Sequence, residues 1–117
     1  AAQTIDRIID TFPPSQQDQV RVQLAATLLG VFSQRLIPSL KGGRVAAYEL
    51  LINTKGVATM IREGRTHEID TAIETGSEHG MISMNRSLID LVQRGEISVD
   101  DARMFTTNPD GLTSMMQ

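Results

Sequence analysis

The sequence predicts an α+β fold, in which two helices and a β-hairpin are followed by a small bundle of short helices. Apolar residues recur at helical spacing from Ile5 to Phe12 and again after Val20. From Val31 to Ile52 the pattern changes to an alternating run, a glycine turn and a nearly continuous apolar run, which is typical of a hairpin. Helical spacing then returns and continues to the C-terminus.

The first two helices are bounded by capping residues and prolines. The first carries an apolar stripe of Ile5, Ile8, Ile9 and Phe12. Thr4 is its predicted cap, and Pro13-Pro14 ends it. The second helix is predicted to start at Ser15, with Asp18 in the position of a capping box, and to close at Gly30.

The hairpin is the segment with the clearest strand pattern. Side chains alternate from Val31 to Ile37, and Pro38 ends this strand because proline cannot donate to a β-ladder. Lys41-Gly42-Gly43 supplies the turn. The apolar run from Val45 to Ile52 predicts a strand that is covered on both faces. Since two strands alone make a marginal sheet, we expect a larger sheet and further sequence before Ala1, where no initiator Met is present.

The remaining helices are short and are predicted to pack together. Their predicted caps are Asn53-Thr54, Thr66, Ser83 and Ser98, and their predicted ends are Gly64, Gly76 and Gly95. Asn108-Pro109 either ends the last of them or begins another short helix. Each has about three turns or fewer and would be marginal alone, so the sequence predicts a helical bundle.

Composition narrows the classes of function. The chain has 117 residues, of which 40% are hydrophobic and only 3% aromatic, so its modest core depends on aliphatic residues and the six methionines. The absence of Cys excludes disulfides and thiolate metal sites and fits a cytosolic protein. The net charge is −3, and ten of the 14 acidic residues follow Asn53, which argues against nucleic acid or an anionic membrane as partner. No apolar run reaches transmembrane length.

Several segments resemble the C-terminal region of the PilT-type ATPases, members of the secretion ATPase superfamily that retract type IV pili. The central match joins Ser33–Pro38 to Gly43–Ile52, a run similar to the family's SQ-x-L-x-P and GRVAA-x-E-x-L elements. Further matching segments are Ala1–Pro13, Gln19–Ala25, Met60–Gly64 and Thr75–Met81. Related pilus-extension and type II secretion ATPases usually carry a four-cysteine zinc element, so the absence of Cys favours the retraction branch.

The resemblance implies both a domain plan and a function. Residues 1–53 would be the end of a RecA-like P-loop ATPase core, and residues 54–117 a helical C-terminal subdomain. The longer protein would be a homohexameric motor that couples ATP hydrolysis to pilus disassembly and thereby to twitching motility. It would be cytoplasmic and would act on pilus machinery in the inner membrane, without inserting into the membrane itself.

The same resemblance assigns a candidate coupling site. Retraction ATPases carry a motif A-I-R-N-L-I-R-E that is tied to motor output, and Gly56–Glu63 occupies its place here. Ile61, Arg62 and Glu63 agree with the motif, while Ala58 replaces its arginine, which leaves open a principal motor or a divergent paralogue. The implied coupling residues are Met60, Ile61, Arg62 and Glu63. From the residues alone, the alternative is a solvated helix end with weak surface ion pairs.

The chain carries no recognisable catalytic or metal-binding motif of its own. It has no G-x-x-x-x-G-K-[ST] phosphate loop, so ATP and Mg²⁺ are expected in the longer protein and neither is expected on this chain. No zinc site is expected at His67 and His79, because structural zinc needs four ordered ligands. The methionines are interpreted as core filling plus a frayed tail, rather than as a binding surface. These are Met81, Met84, Met104, Met115 and Met116.

Two other functions stay open at this point. One is a self-contained helical protein-interaction domain with no link to an ATPase. The other is a related pilus-extension or type II secretion ATPase. A DNA-reading helix-turn-helix between Ser83 and Thr106 is not expected, because its second helix offers mostly acidic side chains. A phosphate loop encoded upstream of Ala1 would distinguish the motor from the interaction domain.

Overall fold

The computed structural model describes residues 1–116 and has the predicted α+β architecture. Helices α1 (Ala2–Asp10) and α2 (Pro14–Thr27) precede an antiparallel hairpin of β1 (Gly30–Pro38) and β2 (Arg44–Ile52). The helices that follow are α3 (Lys55–Arg62), α4 (Ile69–Thr75), α5 (Met84–Gln93), α6 (Val99–Phe105) and α7 (Pro109–Met116). Single 3₁₀ turns, Thr66–Glu68 and Ser77–His79, flank α4.

The hairpin pairs along its full length, from Gly30 opposite Ile52 to Pro38 opposite Arg44. Its turn uses the predicted glycines, since Gly42 and Gly43 have φ of 99° and 68°, a region that other residues rarely adopt. The other edge of β2 makes two backbone hydrogen bonds with Ile82, of 2.8 and 3.0 Å. The segment between α4 and α5 is thereby attached to the hairpin.

The helices cover one face of the hairpin. On that inward face Ile37, Ala47 and Leu51 are fully buried. On the opposite face Phe32 is 61% exposed and stacks on the half-exposed Tyr48, with ring centroids 5.8 Å apart. The prediction that the second strand is covered on both faces is therefore wrong for this chain, because no helix within residues 1–116 covers the middle of the outward face around Tyr48.

The buried apolar side chains form two separate clusters. The first core cluster contains Ile5, Ile9, Ala25, Leu51, Val57, Ile61, Ile69, Ile73 and Met81. The second core cluster contains Ile37, Ala47, Met84, Leu88, Ile89, Leu91, Ile97, Ala102 and Leu112. The first joins α1–α4 to one end of the hairpin, and the second joins α5–α7 to the other end.

Three predicted caps are confirmed. In each, a side-chain oxygen accepts the backbone N–H three residues on: Thr54 from Val57 (3.3 Å), Ser83 from Arg86 (3.1 Å) and Ser98 from Asp101 (3.0 Å). Each bond satisfies one of the free N–H groups of a helix N-terminus. Of the two alternatives for Pro109, the structure has it as the first residue of α7.

The predicted boundaries of the first two helices are wrong in detail. Helix α1 already begins at Ala2 and has no side-chain cap, so Thr4 lies inside its first turn. Helix α2 begins at Pro14, because proline suits the first helical position, and this places Ser15 inside the helix. Asp18 pairs with Arg21 one turn later, at 2.9 Å, instead of completing a capping box.

Two further boundary residues have other roles. Helix α2 ends at Thr27, and Gly30 is the first residue of β1. A Cβ atom on Gly30 would lie 2.6 Å from the carbonyl oxygen of Leu51, so close strand approach explains this glycine. Thr66 starts a 3₁₀ turn, and its hydroxyl donates to Asp6 at 2.7 Å instead of capping α4.

The methionines only partly follow the core interpretation. Met81 and Met84 are buried, as predicted. Met104 is 75% exposed, and Met115 lies in α7 instead of a frayed tail. Within residues 1–116, no helix has the length and apolar character that a membrane span requires.

Candidate functional site

The predicted coupling residues lie in the last turn of α3, where one helix presents an inner and an outer face. Ile61 is fully buried in the first core cluster, and the partly buried Met60 packs against that cluster. Arg62 and Glu63 are exposed on the other side of the helix. The structure therefore divides the four residues into an apolar pair that anchors α3 and a charged pair that faces solvent.

Arg62 is the exposed cation of this segment. Its Nη2 donates to the hydroxyl of Thr59 at 3.3 Å, one turn earlier on the same helix. Within residues 1–116, no carboxylate oxygen approaches Arg62 closely enough to form an ion pair. Its guanidinium is consequently available to a carboxylate or another acceptor outside this part of the chain.

Glu63 is held by a second arginine that follows the helix. Arg65 donates to Oε2 of Glu63 at 3.2 Å and to Oε2 of Glu68 at 2.9 Å. These hydrogen bonds and charges, that of Glu68 first, raise the pKa of Arg65 above its ordinary value. The guanidinium bridges the end of α3 and the following 3₁₀ turn, and so it orients Glu63.

The end of α3 is also tied to the N-terminal helices. The backbone N–H of Arg65 donates to the carbonyl of Met60 at 2.8 Å, while Gly64 takes a φ of 75°. The next residue, Thr66, is only 8% exposed and donates to Asp6 of α1. Helix α3 itself packs along α2, so the end of α3 is held against both N-terminal helices.

The other candidate residues do not assemble into a site. His67 and His79 are exposed, and their nearest carboxylates are those of the adjacent Glu68 and Glu78 at 4.0 and 3.5 Å. In residues 1–116 no group of three or more His, Cys, Asp or Glu residues is placed to hold a metal ion. The Gly42-Gly43 turn leads into β2 and not into a helix, so it offers no helix N-terminus to a phosphate.

A polar cleft is the feature that sequence reasoning missed. It has a volume of about 240 Å³, and Arg7, Arg35, Glu49 and Asp70 are among its lining residues. Glu49 accepts from the backbone nitrogen of Ala1 at 2.5 Å. Partial burial and the carboxylate of Glu49 raise the pKa of Asp70, although its side chain keeps contact with solvent. The alternation of the two strands could have predicted this cleft, because the polar residues Ser33, Arg35 and Glu49 fall on the face that is otherwise apolar.

Comparison with known proteins shows which proteins this chain resembles. No family model matches the chain. It is 45% identical to the uncharacterized protein YggR of Escherichia coli over 83% of the chain, and 43% identical to the type IV pilus retraction ATPase PilT of Pseudomonas aeruginosa over 88%. It is 39% identical over 97% of the chain to a twitching motility protein of Neisseria gonorrhoeae. The chain is homologous to part of the PilT-type ATPases. It spans about 30% of the length of these curated relatives.

The fold agrees with that relationship. The crystal structure of the pilus retraction motor PilT with bound ADP superposes on 98% of the chain with a TM-score of 0.85 and 39% sequence identity. The match involves 32% of the PilT chain. The helices and hairpin described above therefore resemble one region of the PilT structure.

Proposed function

We propose that this chain is the C-terminal part of a hexameric motor ATPase that powers type IV pilus retraction and twitching motility. The observation that supports this most strongly is the match to the PilT motor, with a TM-score of 0.85 over 98% of the chain. The 43% identity to the P. aeruginosa retraction ATPase supports the same function independently of the fold.

In this proposal, residues 1–53 are the end of a RecA-like ATPase core and residues 54–117 form a helical subdomain. The outward face of the hairpin supports a larger core, because Phe32, Leu36 and Tyr48 leave a row of apolar surface exposed there. A further sheet or helix layer of the longer protein would cover that row. This division is taken from the domain plan of the family and not from the packing, because both core clusters draw residues from each part.

ATP and Mg²⁺ belong to the longer protein in this proposal. The similar PilT structure has bound ADP. The residues of this chain do not fit a phosphate site of their own, because the sequence has no phosphate loop and the Gly42-Gly43 turn precedes a strand. Its contribution to the motor would be mechanical, through contacts that respond to the nucleotide state of the hexamer.

Arg62 and Glu63 are the residues that we assign to coupling. Both are exposed, both continue a helix anchored by the buried Ile61, and the Asp6–Thr66 bond ties that helix end to α1. A movement of the ATPase core would reach them through α1 and α2. Their partner would be a neighbouring subunit or the pilus machinery at the cytoplasmic face of the inner membrane.

The test is complementation of a strain that lacks the gene encoding this chain. Wild type, the double variant Arg62→Ala/Glu63→Ala and the control variant Asp100→Ala/Arg103→Ala are compared for twitching motility. The control removes one exposed anion and one exposed cation from α6. The proposal predicts that only the coupling variant loses motility, while its hexamer and its thermal stability are retained.

The possible results of this complementation test distinguish failure of the proposed function from failure of the site assignment. Full motility with Arg62→Ala/Glu63→Ala would reduce this stretch to a surface helix and contradict the coupling role. Failure of the wild-type gene to influence twitching at all would contradict the retraction function and favour an interaction domain or another secretion ATPase.

A further inference from the structure

The core of this chain is divided, which is unusual for so short a protein. Small domains generally have one contiguous core with minor satellite clusters. Here each of the two core clusters contains nine buried residues, and they share none. The hairpin is the element that contributes to both, since Leu51 belongs to the first cluster and Ala47, only four residues earlier on β2, belongs to the second.

Polar residues separate the two clusters on the hairpin itself. The cross-strand pairs of the inward face run in order Val31–Leu51, Ser33–Glu49, Arg35–Ala47 and Ile37–Val45. The outer two pairs are apolar and pack in different clusters. Ser33, Arg35 and Glu49 lie between them and form a polar belt across the sheet. A continuous apolar core cannot cross this belt without burying charged groups, which is costly.

The space beside the polar belt is also polar. The cleft of about 240 Å³ opens there, with Arg7 and Asp70 on the side of the first cluster and Thr107 on the side of the second. A narrower crevice continues between α4 and α5, and Glu74 and Asn85 are among its lining residues. Separation of the two sides would therefore expose polar surface that water already reaches.

The overall shape agrees with two joined bodies. The radius of gyration is 15.7 Å, compared with roughly 13 Å for a compact domain of this length. The longest dimension is 49 Å, and the other two are 27 and 23 Å. Apart from the hairpin, the chain passes from one cluster to the other between Met81 and Met84.

We propose that the polar belt divides the molecule into two units that open independently. The first unit consists of α1–α4 with the Leu51 end of the hairpin, and it carries the coupling residues. The second consists of α5–α7 with the Ile37 end. Because each unit has its own core, one can unfold locally or rotate while the other stays packed. The belt and the Ile82–Ser83 connection form the hinge, a conformational device that does not depend on the proposed function.

Hydrogen exchange, followed peptide by peptide by mass spectrometry on the protein that contains this chain, tests the proposal. Ile61→Ala and Leu88→Ala each truncate a fully buried side chain, one in each cluster. Each change is expected to speed exchange about 30-fold or more in its own unit. Exchange in the other unit should change less than about threefold. Equal acceleration of both units by both variants would overturn the proposal. If either alanine variant fails to fold, Ile61→Val and Leu88→Val provide the same comparison with smaller effects.

A second set of variants tests whether the belt is the cause. Ser33→Val with Glu49→Val replaces one polar pair by an apolar one and should join the clusters, so that Leu88→Ala then speeds exchange in both units. The control is Gln34→Val with Tyr48→Val, the adjacent pair on the outward face. It should leave the two units separate. Continued independence in the belt variant, or coupling in the control, would contradict the assignment of the boundary to the belt.

Discussion

Truncation of Leu51 gives the sharpest test of how the hairpin is packed. Leu51 is fully buried in the first core cluster, where it contacts side chains from the N-terminal helices and from α3. Leu51→Ala removes three side-chain carbons and leaves a cavity that surrounding helices fill only in part. Leucine on the outward face of the same hairpin offers a matched comparison, because Leu36 is 47% exposed.

The expected magnitude follows from core truncations in general. Leu→Ala at a fully buried site costs about 2–5 kcal/mol. The whole chain is expected to have a free energy of unfolding of about 6–18 kcal/mol, at 0.05–0.15 kcal/mol per residue. For a domain of this size, each kcal/mol lowers Tm by roughly 3–6 °C. Leu51→Ala should therefore lower Tm by about 6–30 °C, whereas Leu36→Ala should cost less than about 1 kcal/mol and lower Tm by only a few degrees.

Far-UV circular dichroism of the isolated chain during heating, supported by urea titration, measures both variants under the same conditions. Equal Tm values for the two would refute the conclusion that the helices pack on the Leu51 face alone. A larger loss from Leu36→Ala than from Leu51→Ala would show that the outward face is the buried one.

Three further predictions concern a glycine, a carboxylate and the missing catalytic elements. A Cβ atom on Gly76 would lie 2.7 Å from the carbonyl oxygen of Ala72 and 2.8 Å from Sδ of Met81. Gly76→Ala should therefore destabilise the fold by about 1–3 kcal/mol. An unchanged urea midpoint would show that the neighbouring atoms move aside without cost. Burial and Glu49 raise the pKa of Asp70 above its ordinary 3.8. As the pH rises through and above 3.8, ionisation of Asp70 therefore lowers the free energy of unfolding. Asp70→Asn should gain stability relative to wild type between about pH 3 and 7. A stability difference that stays constant with pH would contradict this. The chain alone should hydrolyse Mg-ATP more slowly than about 0.1 s⁻¹, because it has no phosphate loop, and a faster coupled-enzyme rate that survives repurification would disprove this.

The features that the sequence predicted well are local ones. The caps at Thr54, Ser83 and Ser98 depend on a side chain and a backbone N–H only three residues apart, so the pattern contains the whole interaction. The hairpin and its glycine turn were predicted for the same reason, because alternation and positive φ are properties of a few consecutive residues.

The features that were missed depend on distant partners. Thr66 resembled a helix cap, but its hydroxyl bonds to Asp6, which is sixty residues away in the chain. The apolar run of β2 predicted cover on both faces, and only the placement of the helices shows that Tyr48 stays half exposed. Conversely, the pattern indicates that Ile61 is buried, but the bridge from Arg65 to Glu63 follows from the turn at Gly64.

The measurement that tests the central claim most directly is retraction of fluorescently labelled pili in living cells that lack the gene encoding this chain. If the chain is part of a retraction motor, the deletion strain extends pili but retracts them rarely or not at all, and the restored gene returns retraction. Retraction at the wild-type frequency and speed in the deletion strain would contradict the account.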